Sequence, residues 1–233
     1  MALPCLDSQE NIIDWQALSL SLQLAAVTLA LLLPPGMLLA RWLAYTEFKG
    51  KYLIEALVVL PLVLPPTVLG YYLLVSLGGA SAAGQWLSQH VGVSLAFHFS
   101  GLVLASVIFN IPFLVQPIQR AFEAIPANLG EAAAVSGLNA WRIFWRIELP
   151  LAWPGVLSAM VLTFVHTLGE FGVVLMMGGS IPGETRTLAI SIYDRVQAFD
   201  FESADRMALL LLLLSLLAVA ASFFATARLG RRR

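Results

Sequence analysis

Long runs of apolar residues constrain this chain more than any other feature of its sequence. Each run is about 20 residues long, which is the length an α-helix needs to cross roughly 30 Å of hydrocarbon. Of the 233 residues, 59% are hydrophobic and 12% are charged. The charged share is about half that of an ordinary soluble domain. The sequence therefore predicts an all-α integral membrane protein.

Five membrane spans are predicted, in one transmembrane domain that covers residues 1–233. The spans cover residues of about 17–40, 53–77, 99–119, 151–177 and 207–227. Gly169, Glu170 and Gly172 interrupt the fourth run, so we expect that span to break near Gly169.

The distribution of Lys and Arg predicts the orientation of the chain. With the N-terminus outside and the C-terminus in the cytoplasm, ten of the 13 basic residues are cytoplasmic. These ten are Arg41, Lys49, Lys51, Arg120, Arg142, Arg146, Arg228, Arg231, Arg232 and Arg233; the exceptions are Arg186, Arg195 and Arg206. The N-terminal segment lacks the basic residues of a cleaved signal peptide, so we expect the first span to be permanent. The lone Cys5 leaves no internal disulfide.

Residues 120–150, between the third and fourth spans, are too polar to span and too apolar to be a disordered loop. Pro126 and Asn128 favour a helix that begins near Leu129. Glu131 would lie in its first turn, where a carboxylate suits the positive end of the helix dipole. Gly137 is expected to end the helix with a positive φ.

A second short helix is predicted over residues 140–147. It would carry aromatic side chains on one face and two arginines at i and i+4 on another, namely Trp141, Phe144 and Trp145, and Arg142 and Arg146. From this pattern alone, the two helices fit an amphipathic pair on the inner leaflet as well as a binding surface for another protein.

Seven residues in this segment have a specific spacing, which reads E-A-A, three residues, G, nine residues, I-x-L-P. They are Glu131, Ala132, Ala133, Gly137, Ile147, Leu149 and Pro150. A chance match at all seven is on the order of one in 10^5. The segment resembles the EAA loop of ATP-binding-cassette importer permeases. The resemblance implies a MetI-like permease fold, in which this loop forms coupling helices that dock on a cytoplasmic ATPase subunit.

Two further stretches are similar to those of molybdate permeases. They are LPLVLPPTVLGYYLLVSLG at residues 60–78 and LGEFGVVLMMGGSIPGETRT at residues 168–187. Sulfate and thiosulfate permeases share the Leu-Pro-Pro and Gly-Glu-aromatic-Gly features in looser form, and residues 181–187 favour molybdate. The resemblance covers about residues 15–224 and leaves tungstate open as a further substrate.

Candidate pathway or gate residues lie in the second and fourth spans. Pro65 and Pro66 should break the second span and leave carbonyl groups facing something polar, or else form a simple packing kink. Thr67 and Ser76 supply hydroxyl groups nearby. Glu170 lies about 30 Å along the helix from the inner face. A carboxylate in the pathway would repel a dianion, so we expect a structural or gating role for Glu170, paired with Arg186.

The sequence argues against an enzyme. The lysines of FKGKY lack the glycine spacing and the Ser or Thr of a phosphate-binding loop, so ATP hydrolysis is expected to be done by a partner. No G-x-S-x-G elbow is present, and the spacing of His166 and Glu170 is not that of a metal site. We predict no cofactor and no metal.

A stand-alone secondary transporter would need paired broken helices in repeats, and we find one convincing broken span.

The resemblance also implies partners for the chain. These are two copies of an ATPase subunit, an extracytoplasmic molybdate-binding protein, a second copy of the chain itself and the lipid of a cell inner membrane, with no nucleic acid.

Overall fold

The computed structural model describes residues 13–230 and is helical throughout its regular structure. The elements are α1 (Trp15–Tyr45), α2 (Lys51–Val63), α3 (Pro66–Leu77), α4 (Ala82–His90), α5 (Phe99–Glu123), α6 (Ala127–Val135), α7 (Ala140–Ile143), a π-helix (Phe144–Glu148), α8 (Leu149–Leu168), α9 (Gly172–Gly178), α10 (Leu188–Gln197) and α11 (Phe201–Gly230). The predictions for Cys5 and for Arg231 to Arg233 lie outside the described residues.

Among residues 13–230, four helical stretches are long and apolar enough to cross a membrane, and a bent pair makes a fifth if it is counted as one span. The four are Trp15–Tyr45, Phe99–Glu123, Ala140–Leu168 and Phe201–Arg228. The pair, Lys51–Val63 and Pro66–Leu77, is bent by 105°. The all-α membrane fold is therefore confirmed.

The core of the bundle lies where α1, α5 and α8 pack together. Its buried side chains include Leu43, Leu114, Phe122 and Val156. Helix α11 packs against α8 and α10, and Leu212, Leu216 and other side chains along it are exposed. Exposed leucine on a long helix is expected where the solvent is hydrocarbon.

The boundaries of the fourth span differ from the prediction. The helix passes without interruption from Ala140 to Leu168, so the predicted end of a separate helix near Ile147 is wrong. It then stops at Gly169, and α9 begins at Gly172. The predicted break near Gly169 therefore agrees with the structure.

Two helices outside the spans were missing from the prediction. Helix α4 is capped by Ser81, whose hydroxyl accepts from the Gly84 N–H at 2.8 Å. Helix α10 packs beside the start of α1, where the Leu188 N–H donates to Ser21 Oγ at 2.8 Å. Both are short, and neither shows the long apolar run that identifies a span.

Candidate functional site

The first half of the candidate coupling segment is helix α6, which begins two residues earlier than predicted. Pro126 is its N-cap and Ala127 its first residue, so Glu131 lies in the second turn and its predicted place in the first turn is wrong. Proline at the cap fixes an extended conformation that starts the helix early. Ala133 is the buried residue of α6, whereas Glu131 and Ala132 are exposed.

A tight turn at Gly137 ends this half. Gly137 has φ of +82°, as predicted. Its N–H donates to the Ala134 carbonyl, and the Leu138 N–H donates to the Ala133 carbonyl. Asn139 then caps the next helix, because its side chain accepts from the Arg142 N–H at 2.9 Å. An L-residue with a side chain is strained at this φ, so glycine sets the direction of the second half.

The second half runs from α7 through a π-helix into α8. The Leu149 N–H donates to the Phe144 carbonyl, five residues earlier. In an α-helix the ring of Pro150 would collide with the carbonyl of residue 146. The wider π turn directly before Pro150 lets the chain continue as one helix, which is why no break occurs at Leu-Pro.

Apolar side chains are exposed along the part of the segment that precedes α8. Val135 is 90% exposed and Trp141 66% exposed, and Leu129 and Trp145 are also exposed. Phe144, predicted on the same face as the two tryptophans, is buried instead. Exposed apolar residues beside Glu131 are typical of a surface that contacts either another protein or a membrane.

The buried side of the segment is fixed to the bundle by an ion pair. Arg41 Nε lies 2.5 Å from Glu148 Oε2, and Arg41 Nη2 lies 3.1 Å from Oε1. Phe144 packs with Phe122 at the end of α5, with ring centroids 6.4 Å apart. Ile147 and Leu149 are half-buried in the same region, and Pro150 is exposed.

The second span is broken at Leu64 and Pro65. Leu64 is extended, with φ of −72° and ψ of 139°, as expected for a residue before proline. Pro65 caps α3 and Pro66 is its first residue. Neither proline can donate to the carbonyls of Pro61 and Leu62, so a break replaces the packing kink considered from sequence.

This break lies against the break near Gly169. A Cβ on Gly172 would lie 2.9 Å from the Cβ of Pro66, and one on Gly70 would lie 2.7 Å from the Cβ of Met176. Glycine at both positions lets α3 and α9 approach closely. The sequence pattern indicated one convincing broken span, and among residues 13–230 one bent pair of helices has the length and composition of a broken span; its break lies against the interruption between α8 and α9.

Of the candidate pathway residues, Thr67, Pro65 and Pro66 are exposed at this junction. Ser76 is also exposed, and its hydroxyl donates to the Tyr72 carbonyl at 2.6 Å. Thr67 and Ser76 lie at opposite ends of α3. The structure therefore places one hydroxyl beside the broken backbone and the other more than two turns away.

Glu170 is buried in the bundle, and its expected pairing with Arg186 is wrong. Its Oε2 accepts from Ser106 Oγ at 2.5 Å. Arg186 Nε instead donates to Ser180 Oγ at 3.2 Å and lies 3.7 Å from Asp194 Oδ2. Arg186 is held in the turn after α9, where Asp194 of α10 supplies a nearer carboxylate.

His166 and Glu170 both contact α5. His166 Nδ1 lies 3.0 Å from Asn110 Oδ1, four residues after Ser106. His166 also stacks on Phe113, with ring centroids 3.7 Å apart. Within residues 13–230, no group of three His, Cys, Asp or Glu side chains could hold a metal. These contacts therefore indicate a structural polar cluster between α5 and the fourth span.

Known proteins show the same architecture and related sequences. The family described as "Binding-protein-dependent transport system inner membrane component" matches residues 34–233. The "Molybdenum transport system permease protein ModB" of Azotobacter vinelandii is 50% identical over 196 residues, which cover 84% of this chain and 86% of that protein. The protein of the same name from Escherichia coli (strain K12) is 38% identical over 221 residues, covering 94% and 96%.

A solved structure also resembles the fold. It is a structure of inward-facing conformations of the MetNI methionine ABC transporter, with a TM-score of 0.68 and 18% identity. The match covers 92% of this chain and 93% of the other. At this identity the likeness shows the fold, and the expected MetI-like architecture is confirmed.

Proposed function

The chain belongs to the family of binding-protein-dependent transport system inner membrane components, and we propose that it forms the membrane pathway of an ATP-binding-cassette importer for molybdate. It is a non-catalytic subunit of the inner membrane. Its complex contains an ATPase and an extracytoplasmic binding protein.

The exposed segment of residues 127–150 is the observation that carries the coupling role. It combines the EAA-type spacing with a turn fixed by Gly137 and exposed side chains such as Val135 and Trp141. A membrane-surface helix pair would also expose apolar groups, but it would not need this spacing. We assign Glu131, Ala132, Ala133, Gly137, Ile147, Leu149 and Pro150 to ATPase coupling.

Molybdate is the substrate that the relatives favour. The 50% identical relative from Azotobacter vinelandii carries a molybdenum-transport name. In this chain, residues 181–187 form a turn in which the Thr185 hydroxyl donates to the Gly178 carbonyl at 2.7 Å. The Glu184 side chain accepts from the Phe99 N–H. These residues fix the conformation of the outer loop. We therefore propose that they have a structural role and do not contact the oxyanion.

The positions of charge in the bundle support the orientation that we propose. The coupling segment lies at the same end as Arg41 and Lys51, and the turn holding Arg186 lies beside the start of α1. We place the coupling end in the cytoplasm, the N-terminus outside and the C-terminus inside. Residues 1–233 then form one five-span transmembrane domain.

A homodimer is proposed because the exposed break in the second span cannot face lipid. Irregular backbone within a membrane is tolerated only against protein or a water-filled cavity. A second copy across a two-fold axis supplies protein on one side of the break and encloses a water-filled cavity. The pair also presents two coupling segments to two ATPase subunits. The pathway then runs along the axis beside Pro65, Pro66 and Thr67, with Ser76 further along α3 and Glu170 behind the break as a support for the gate.

The mass of the intact complex tests the stoichiometry. Native mass spectrometry should give two permease chains with two ATPase chains. One permease chain with two ATPase chains would contradict the homodimer.

Uptake by proteoliposomes tests the function. The complex is reconstituted with its ATPase and binding protein, and labelled molybdate is followed with ATP and with a non-hydrolysable analogue inside the vesicles. We expect uptake only with ATP, unaffected by excess sulfate; tungstate is added in a separate arm to define selectivity. Uptake without the ATPase would instead support a secondary transporter, and competition by sulfate would support a sulfate permease.

A further inference from the structure

We propose that the Arg41–Glu148 ion pair is the positioning contact that transmits movement of the coupling segment to α1. This inference rests on the proposed function. The two residues are 107 positions apart in sequence, and neither belongs to the seven residues of the spacing that identified the segment.

The geometry of the pair is that of a firm, directional contact. Two guanidinium nitrogens of Arg41 donate to the two carboxylate oxygens of Glu148, at 2.5 and 3.1 Å. A bidentate pair of this kind fixes orientation as well as distance. Glu148 is 7% exposed, so water competes little for its carboxylate.

Aromatic rings enclose the same guanidinium group. Its central carbon lies 5.6 Å from the ring centroid of Tyr45 and 5.5 Å from that of Phe144. Tyr45 belongs to α1 and donates through its hydroxyl to the Phe122 carbonyl at 3.3 Å. Arg41 therefore moves with α1 and contacts the π-helix through both Phe144 and Glu148.

The position of Glu148 suits a transmitting role. It ends the π-helix that connects the coupling segment to α8. Movement of the segment is transmitted to α8 through the continuous helix. It is transmitted to α1 through the side-chain contacts of Glu148. Without the pair, α1 would follow the segment through apolar packing alone, which resists sliding less than a bidentate charge contact.

Helix α1 carries the displacement to the opposite end of the bundle. At 31 residues it is about 45 Å long. Near its start, Ser21 accepts from the Leu188 N–H at 2.8 Å, and Asp14 accepts from the Ser191 hydroxyl at 3.0 Å. Both donors belong to α10, so α1 connects the coupling end directly to the outer face.

Charge exchange provides the test. The variants are Arg41→Glu, Glu148→Arg and the double variant with both changes, each reconstituted with the ATPase and binding protein. Three quantities are measured: ATPase retained on purification, basal hydrolysis, and the stimulation of hydrolysis by molybdate-loaded binding protein. Arg41→Lys is included because it keeps the charge, and so the fold, while removing the bidentate geometry.

We expect Arg41→Lys to retain the ATPase and basal hydrolysis, whereas each single reversal leaves two like charges at a buried contact and lowers both. In all three variants, the stimulation per bound ATPase should fall about tenfold, within the range of ordinary coupling factors. The double variant should recover much of it. Arg120→Gln is the matched control, because its 2.7 Å pair with Glu123 lies within α5 at the same end of the bundle and should leave stimulation unchanged.

Several results would overturn the proposal. Full stimulation in Arg41→Lys and both single variants would show that the pair transmits nothing. Loss of ATPase binding in Arg41→Lys would show that it only maintains the fold of the segment. If wild-type protein gave no ATP-dependent uptake, the proposed function would fail first, and this inference with it.

Discussion

At the scale of single residues, Gly137 is the position where adding a side chain should affect the segment most. Its φ of +82° is strained for any L-residue, and no atom of the described chain would lie within 4 Å of a Cβ at this position, so the effect is confined to backbone conformation. Gly137→Val should cost about 1–2 kcal/mol locally and misdirect the second half of the segment. We expect the ATPase to be lost on co-purification while insertion and dimerisation persist.

The matched control for this change is Gly130→Ala, within α6. A Cβ there also meets no described atom within 4 Å, and alanine favours the helix. ATPase retention equal to wild type in both variants would argue against a defined turn at Gly137.

Reversing the charge of Glu131 tests the same surface of the coupling segment. Glu131 is exposed, so its substitution should leave the fold intact. We propose that Glu131 pairs with a basic residue of the ATPase, so Glu131→Lys should place two positive charges together and weaken ATPase binding by at least about tenfold. Titration of purified ATPase onto permease in nanodiscs measures this, with Glu202→Lys at the start of α11 as the control. Equal affinities for both variants would remove Glu131 from the interface.

At the scale of elements, the close approach of α3 and α9 is the most sensitive packing contact. A Cβ on Gly70 would lie 2.7 Å from the Cβ of Met176 and 3.1 Å from the Val173 carbonyl oxygen. Gly70→Ala should therefore destabilise the protein by about 1–3 kcal/mol. Thermal unfolding in detergent should show a lower Tm, and Gly79→Ala, where no described atom lies within 4 Å, should not. Equal Tm values would mean that this contact is looser than described.

Cysteine labelling tests whether the broken second span is exposed to water. In a Cys5→Ser background, Thr67→Cys should react with a membrane-impermeant maleimide, because the exposed break faces the aqueous pathway in our proposal. Ser76→Cys should react as well, and Leu114→Cys, at 0% exposure, should not. Lack of reaction at both positions from either side of the membrane would place the pathway elsewhere.

Sequence predicted those elements whose causes are local. Apolar length identified the spans, Pro65 and Pro66 identified one break, and Gly137 identified the turn. It did not predict the contact of α3 with α9 or the pairing of Arg41 with Glu148, because both depend on packing between distant segments. The π-helix was missed for a similar reason: Leu149-Pro150 signals a helix end unless an extra residue in the preceding turn relieves the collision.

At the scale of the whole molecule, the two ends of the bundle have different tasks. One end presents the coupling segment, and the other presents α10 and the turn with Arg186. Helix α1 contacts both, through Glu148 at one end and Ser191 at the other. In our proposal, this arrangement lets the membrane subunit respond to ATP that its partner hydrolyses.

The central claim is that the ATPase binds the segment of residues 127–150. Hydrogen–deuterium exchange of the permease in nanodiscs, with and without its ATPase, tests this most directly. Amides of residues 127–150 should exchange more slowly when the ATPase is bound, and those of α10 should be unchanged in the absence of the binding protein. Protection elsewhere on the cytoplasmic end, with residues 127–150 exchanging at the same rate in both states, would contradict the account.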